Sequence, residues 1–198
     1  MSATAAPAPP PPRPQPHRWT VTEFHRLCNL GLFAGQRPIL LDGVILEQGP
    51  MDAPHANGVE RTDTAVRAAF GSGWRFRIQL PLVLSQHTDP IPDVAVVAGV
   101  LVGSPGHPTT AALVVEVADT TLDTDTTTKA ELYATAGIAD YWVLDVTNRV
   151  LLVFRDPVPL PAGLGATAYR TQLTLNPTDR VSPLSAPASS ILASDHLP

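Results

Sequence analysis

The fold of this chain is decided by residues 113–145, LVVEVADTTLDTDTTTKAELYATAGIADYWVLD. The segment starts with an apolar run that only Glu116 interrupts, a composition typical of a strand buried in a sheet. A helical stretch follows, and a second apolar strand begins at Asp140. This alternation of strand and helix predicts an α/β fold in which helices flank a mixed central sheet.

The flanking segments carry the residues that typically start and end helices, strands and turns. The turn at Asp42-Gly43 is the strongest short hairpin signal in the chain. The first predicted helix begins at a Thr20–Glu23 capping box and stops near Gly31, and short strands follow on both sides of Asp42-Gly43. A second helix is predicted from about 54 to 70, then strands at 74–84, 93–97 and 111–117. A third helix runs from about 125 to 136, with Thr124 or Asp125 as its cap and Gly137 as its end, and is followed by a hairpin of 140–146 with 149–154 and an edge strand at 169–175.

Composition restricts the classes of function. The chain has 198 residues, enough for one globular domain, and its 18 acidic residues against 13 Lys and Arg give a net charge of −5. This balance argues against a protein that holds nucleic acid by bulk attraction. No apolar run approaches the roughly 20 residues that cross a bilayer. One cysteine and the lack of a secretory-type start lead us to expect a cytoplasmic protein.

The first 18 residues differ from the rest. Seven prolines fall within residues 1–16, a composition that favours polyproline II and offers no core. We therefore predict a disordered tail at 1–18 and one domain at 19–198. A partner that recognises proline-rich sequence is the alternative use of this tail.

Two carboxylates lie where a buried sheet tolerates them least. Asp93 opens an apolar strand, and Glu116 lies inside another. An unpaired buried acid is costly, so each needs a cation of the protein, a hydrogen-bond network or a divalent metal as its partner. If the strands are adjacent, both carboxylates could bind one Mg²⁺, which takes oxygen ligands and stabilises charge on a phosphoryl oxygen.

Lys129 is the single lysine among the 13 cationic residues. Helical spacing places it on one face with Asp125 and Tyr133, at positions i, i+4 and i+8. A helix that folds back over the strand could bring this ammonium group to Glu116. The alternative is an ordinary surface pair of Asp125 and Lys129, with Tyr133 packed in the core.

The run from Glu116 to Asp145 closely resembles the signature of the Uma-type putative restriction endonucleases, which belong to the PD-(D/E)XK nuclease superfamily. The resemblance extends over roughly residues 20–180. It includes PIPDVAVV at 90–97, which looks like the family's Pro-Asp motif, and DGVILE at 42–47 with His55 beyond it. The resemblance implies a restriction-endonuclease-type fold and metal-dependent cleavage of DNA with Mg²⁺ or Mn²⁺.

The resemblance also implies roles for particular residues. Asp93 looks like the metal-binding aspartate and Glu116 like the acid of the (D/E)XK element, so both are expected to be catalytic and to bind the metal. The usual lysine lies two positions after the acid, but Ala118 stands there. Lys129 is the natural replacement, and we expect it to position or polarise the attacking water.

Two further residues match the family pattern less specifically. Glu47 resembles an additional catalytic acid from an early element, and its alternative is an exposed carboxylate on a hairpin. Val44 replaces the acid of the frequent Asp-Gly-Glu sequence. His55 matches a frequent histidine near the start of the second helix, with helix capping or packing as its alternative to a role at the DNA.

Arg75 and Arg77 alternate with apolar residues in the predicted strand at 74–84, which gives that strand a basic face. These arginines could contact backbone phosphates. Solvent-exposed sheet faces also carry such pairs without any ligand, so this alternative stays open.

The sequence therefore predicts a metal-dependent endonuclease that hydrolyses DNA phosphodiester bonds. The alternative is a nuclease fold without catalysis that binds DNA or a protein partner. The resemblance suggests a homodimer, possibly through the hairpin at 140–154. The sequence does not decide between DNA and RNA or name a target site.

Overall fold

The computed structural model describes residues 14–99, 106–161 and 166–198. Most of the predicted tail, residues 1–13, lies outside these ranges. In chain order the elements are α1 (Val21–Asn29), β1 (Pro38–Leu41), β2 (Val44–Glu47), α2 (Ala53–Phe70), β3 (Trp74–Ile78), β4 (Val94–Ala98), β5 (Leu113–Ala118), α3 (Leu122–Thr124), a π-helical turn (Asp125–Lys129), α4 (Ala130–Thr135), β6 (Asp140–Asp145), β7 (Val150–Pro159), β8 (Thr167–Leu175), β9 (Arg180–Val181), β10 (Ile191–Leu192) and a 3₁₀ turn (Ala193–Asp195).

A mixed six-stranded sheet forms the centre of the fold. Its strands β3 to β8 lie side by side in chain order. The pair β5 and β6 is parallel and every other neighbouring pair is antiparallel. A parallel pair needs a crossover, and the helical residues 122–135 supply it. The predicted α/β fold with a mixed central sheet is confirmed.

Helices cover both faces of this sheet because its central strands are apolar on both sides. On one face, α2 packs against a core that includes Val96, Val115 and Trp142. A Cβ at Gly58 of α2 would lie 2.8 Å from Cγ1 of Val117, so glycine permits the close approach of helix and sheet. On the other face, α4 packs against the sheet through the side chain of its own residue Tyr133.

The hairpin of β1 and β2 is built as predicted. Asp42 and Gly43 have φ values of 48° and 80°, the left-handed conformations that a type I′ turn requires. The capping box at the start of α1 is also confirmed, with the Thr20 hydroxyl accepting from the Glu23 N–H. The backbone of Trp19 donates to Gly43 O, which fixes the start of the domain beside this turn.

The structure corrects three predicted boundaries. The strand predicted at 74–84 ends at Ile78. The helix predicted from 125, with Thr124 or Asp125 as its cap, starts instead at Leu122 after Thr121. Residues 125–129 then form a π-helical turn rather than an α-helix.

The hairpin at 140–154 is confirmed, but it lies inside the sheet. All residues of β6 are buried, and the outer edges of the hairpin pair with β5 and β8. The hairpin therefore offers no free strand edge to a second copy, and a dimer contact through it stays a prediction. Of the helices within the described ranges, none has the length and apolar character to cross a membrane.

Candidate active site

Asp93 and Glu116 meet at neighbouring strands. Asp93 directly precedes β4, and the register pairs Val94 with Val115 of β5. The Asp93 N–H donates to Glu116 Oε2 at 3.4 Å, and the Val117 N–H donates to Asp93 Oδ2 at 2.8 Å. The two side chains are buried, as their positions in apolar strands required.

Lys129 approaches this pair of carboxylates from the π-helical turn (Asp125–Lys129). Its Nζ lies 3.1 Å from Glu116 Oε1 and 2.8 Å from Asp125 Oδ1. Asp125 is 1% exposed and Lys129 is 8% exposed, so the surface-pair interpretation is wrong. Tyr133 does pack in the core, and its hydroxyl also donates to Glu116 Oε1 at 2.7 Å.

The π-helical turn is held by hydrogen bonds to Asp125. The Thr121 hydroxyl donates to Asp125 Oδ2 at 2.5 Å, and the Tyr141 hydroxyl donates to Asp125 O at 2.8 Å. Asp125 thus fixes the ammonium of Lys129 beside Glu116. Turns of this type occur often at functional sites. Sequence reasoning placed Asp125 on the correct face but missed the role of Thr121.

Asp93 is oriented by two further side chains. His55 Nε2 lies 3.0 Å from Asp93 Oδ1, and Gln79 Nε2 donates to the same oxygen at 3.1 Å. Gln79 has a φ of 50°, a strained conformation for this residue type that marks functional sites. Nothing in the sequence indicated Gln79. The backbone N–H of His55 is capped by Asp52, while its side chain contacts Asp93 rather than the core.

Three carboxylates share two basic side chains in this group. Lys129 pairs with Glu116 and Asp125, and His55 pairs with Asp93. Burial raises the pKa of Glu116 to about 8. The attraction of Lys129 opposes this rise, and the repulsion of Asp125 and Asp93 adds to it. Burial would lower the pKa of Lys129, but Glu116 and Asp125 hold it above its usual value.

Asp93 and His55 shift in opposite directions. Burial opposes the charge on Asp93, but the hydrogen bond and charge of His55 hold its pKa below the usual value. The hydrogen bond to Asp93 raises the pKa of His55 against the effect of burial. Asp93 is therefore ionised at neutral pH, as a metal ligand must be.

These side chains line a pocket of about 350 Å³ between the hairpin and the sheet. Of the predicted site residues, Glu47, His55, Asp93, Glu116 and Lys129 all belong to its lining. Sequence analysis missed Arg37, which brings a second cationic side chain to it.

Glu47 stands apart from the other acids. It is exposed at the end of β2, next to Leu46. Because side chains alternate along a strand, Glu47 and Leu46 project to opposite faces of the hairpin. No hydrogen bond or ion pair joins Glu47 to Asp93, Glu116 or Lys129 within the described part of the chain. Its catalytic role stays a prediction.

Arg75 and Arg77 are not part of the pocket lining. They lie on the edge strand β3 opposite Val97 and Ala95, and all five residues of this strand are partly buried. Arg77 Nη2 donates to Pro81 O at 3.0 Å and lies 3.2 Å from His107 Nδ1. Both arginines are thus partly buried, and their contact with backbone phosphates stays a prediction.

A divalent metal fits the acids of this site. No three His, Cys, Asp or Glu side chains in the described ranges form a group that could hold a metal ion by themselves. Mg²⁺ needs no third protein ligand, because it keeps several waters and binds through one or two carboxylates plus substrate phosphates. Among the described residues, Glu116 Oε2 accepts one long contact, from the Asp93 N–H at 3.4 Å, which leaves this oxygen open to a cation.

Comparisons with known proteins agree with this geometry. The profile of the Uma2 family, described as "putative restriction endonuclease", matches residues 21–193. The fold is similar to that of a putative nuclease belonging to DUF820 from Anabaena variabilis ATCC 29413, with a TM-score of 0.69 and 15% identity over 90% of this chain and 97% of that chain. A search of curated proteins found no match. Because the family profile covers most of its length, the chain belongs to the Uma2 family of putative restriction endonucleases.

Proposed function

We propose that the protein is a cytoplasmic, metal-dependent endonuclease that hydrolyses DNA phosphodiester bonds. The observation that carries the proposal is Lys129 Nζ at 3.1 Å from Glu116 Oε1, in a pocket that Asp93 also lines. We propose further that this is a PD-(D/E)XK site in which the lysine has moved from the strand to the following helix. Membership of the Uma2 family supports this assignment.

Each residue of the site has a definite task in this proposal. Asp93 and Glu116 would hold Mg²⁺ or Mn²⁺, which supplies charge stabilisation at the phosphate and activation of water. Lys129 donates hydrogen bonds that position the water for attack on phosphorus, in line with the bond that breaks. Asp125 and Glu116 keep this ammonium charged, because both raise its pKa.

Surrounding residues orient the acids or complete the pocket. His55 and Gln79 fix the carboxylate of Asp93 by hydrogen bonds to Oδ1. We propose orientation of Asp93, rather than direct contact with DNA, as the role of His55. Glu47 could contribute an additional acid at the mouth of the pocket, where it is exposed.

The function is tested by nicking of supercoiled plasmid in Mg²⁺ or Mn²⁺. We expect nicking by the wild type and its loss in Asp93→Ala and Lys129→Ala. Asp123→Ala is the matched control, because Asp123 is an exposed acid outside the pocket lining. Equal nicking by all variants, or none by the wild type with either metal, would contradict the proposal and favour a module that binds without catalysis.

The homodimer that the resemblance suggested stays a proposal. Light scattering at the protein concentration of the nicking assay tests it, with a mass near twice 21.0 kDa as the expected result. A mass of one chain under conditions that support nicking would show that the monomer is sufficient.

A further inference from the structure

One wall of the active-site pocket is apolar. Its side chains come from the β1–β2 hairpin and the loop that follows, and they are Ile39, Leu41, Leu46, Pro50 and Met51. Leu46 pairs directly with Ile39, so both project from the same face of the hairpin. Leu46 and Met51 remain 41% and 39% exposed. Exposed apolar side chains around a concave pocket indicate a ligand with an apolar part.

The other wall carries the acids and Lys129 described above. Gln79 links the two walls, because its Nε2 donates to Asp93 Oδ1 at 3.1 Å and contacts Met51 Sδ at 4.0 Å. The apolar wall and the acids thus belong to a single site. A nucleotide has the same two-sided character, since its base has apolar faces and its phosphate is charged.

The cations of the pocket are too few for a duplex. Arg37 and Lys129 are the Arg and Lys side chains of the lining, and the whole chain has a net charge of −5. Proteins that hold duplex DNA through its backbone neutralise about six to ten phosphates with Lys and Arg. Contact of an unstacked base with apolar side chains adds to the few phosphate contacts that two cations can make.

We infer that the pocket accepts one unpaired nucleotide of a DNA strand, with its phosphate at Lys129 and Arg37 and its base against Leu46 and Met51. The inference rests on the proposed endonuclease function and specifies an unpaired nucleotide as the substrate, which single-stranded DNA supplies throughout and supercoiled plasmid supplies only where its duplex opens. In a base pair the edge of the base is covered by its partner strand, which a pocket of about 350 Å³ cannot also admit.

The test is binding of a fluorescein-labelled oligonucleotide, single-stranded or as a duplex of the same sequence, measured by anisotropy with Ca²⁺ as the divalent ion. We expect the single strand to bind at least about tenfold more tightly than the duplex. The double substitution of Leu46→Gln with Met51→Gln is expected to weaken binding of the single strand about tenfold. Leu173→Gln is the matched control, because Leu173 lies on β8 and is 43% exposed.

The outcomes separate this inference from the proposed function. Equal or tighter binding of the duplex, no binding of either form, or equal effects of the pocket and control substitutions would overturn the inference. Leu46, Met51 and Leu173 are 41%, 39% and 43% exposed, so polar substitutions there are tolerated and circular dichroism is expected to show folded variants. If the wild type prefers the single strand but nicks no DNA in Mg²⁺ or Mn²⁺, the binding site stands and the endonuclease function fails.

Discussion

Two buried carboxylates in neighbouring strands, Glu116 in β5 and Asp140 in β6, have opposite environments. Asp140 is fully buried, and its two oxygens accept from Arg155 Nε at 2.8 Å, Trp142 Nε1 at 2.7 Å and the Leu184 N–H at 2.8 Å. Its charge is matched by one guanidinium. Glu116 shares one ammonium with Asp125 and lines a pocket.

The comparison shows that burial of an acid does not by itself indicate function. Asp140 has a structural role, because the donors that bind its carboxylate are groups of the chain itself. The Glu116 group has three carboxylates against two basic side chains and lines a pocket, so an external cation can replace the proton that Glu116 holds at neutral pH. The distinguishing features are therefore charge balance and access rather than depth.

The largest effect on stability is expected at the balanced carboxylate. Asp140→Asn removes the charge opposite Arg155 and replaces one acceptor oxygen with an amide NH2 group that faces the same donors. Breaking a buried ion pair in this way costs about 3–5 kcal/mol of unfolding free energy. Urea denaturation measures the loss, and a change below about 1 kcal/mol would contradict the structural role of Asp140.

Exchanging the two cations should separate catalysis from stability. Lys129→Arg is expected to fold normally and to lower the plasmid nicking rate by about 10²-fold or more, because a planar guanidinium cannot replace a small rotatable ammonium at the water. Arg155→Lys is the reciprocal control, with nicking retained and stability lowered by about 1–2 kcal/mol through the lost fork geometry. Full activity of Lys129→Arg would show that this lysine has a structural rather than a catalytic role.

Substitution of Glu116 should change stability in the opposite direction to substitution of Asp140. The pKa of Glu116 in the folded state is about 8, above its unfolded value, so the folded protein loses stability as the pH rises from about 4.5 to 8. Glu116→Gln should therefore stabilise the metal-free protein by about 2 kcal/mol at pH 8, with Lys129 still paired to Asp125.

The advantage of Glu116→Gln is expected to disappear at about pH 3.5, one unit below the unfolded value of 4.5, where the wild-type carboxyl is protonated in both states. Urea denaturation at the two pH values makes the comparison. A variant that is less stable than the wild type at pH 8 would show that Glu116 is balanced as Asp140 is.

The smallest effect is expected from single hydroxyl groups. Tyr133→Phe removes the donor to Glu116 Oε1, and Tyr169→Phe removes a donor at 2.7 Å from Ile138 O. Each should cost about 1 kcal/mol of unfolding free energy. Only Tyr133→Phe should also weaken Mg²⁺ binding, by about tenfold in calorimetry, because its partner is a proposed metal ligand. Equal Mg²⁺ affinities of the two variants would place Tyr133 in the core alone.

The sequence predicted the parts of this comparison that local pattern controls. The burial of Asp93 and Glu116 followed from the apolar strands that contain them, and the hairpin followed from Asp42-Gly43. Resemblance to a nuclease family then identified Lys129 as the third member of the group.

Other features could not be predicted because they depend on distant contacts. The π-helical turn is fixed by a hydrogen bond from the hydroxyl of Tyr141, a residue of β6, to Asp125 O. The orientation of Gln79 depends on its contact with Asp93 rather than on strand periodicity. Arg77 was expected on a basic strand face, but its guanidinium contacts Pro81 O and His107 Nδ1, which belong to two different loops.

The central claim is that the Asp93–Glu116 group takes a divalent cation. Its most direct test is the melting temperature with and without Mg²⁺ for the wild type, Asp93→Asn and the control Asp123→Asn. At about a hundredfold excess over Kd, binding to the folded state adds about 2.7 kcal/mol, which raises Tm by about 5 °C or more for a chain of this size. We predict this rise for the wild type and Asp123→Asn and its absence in Asp93→Asn. An equal rise in all three proteins, or none in the wild type, would contradict the claim.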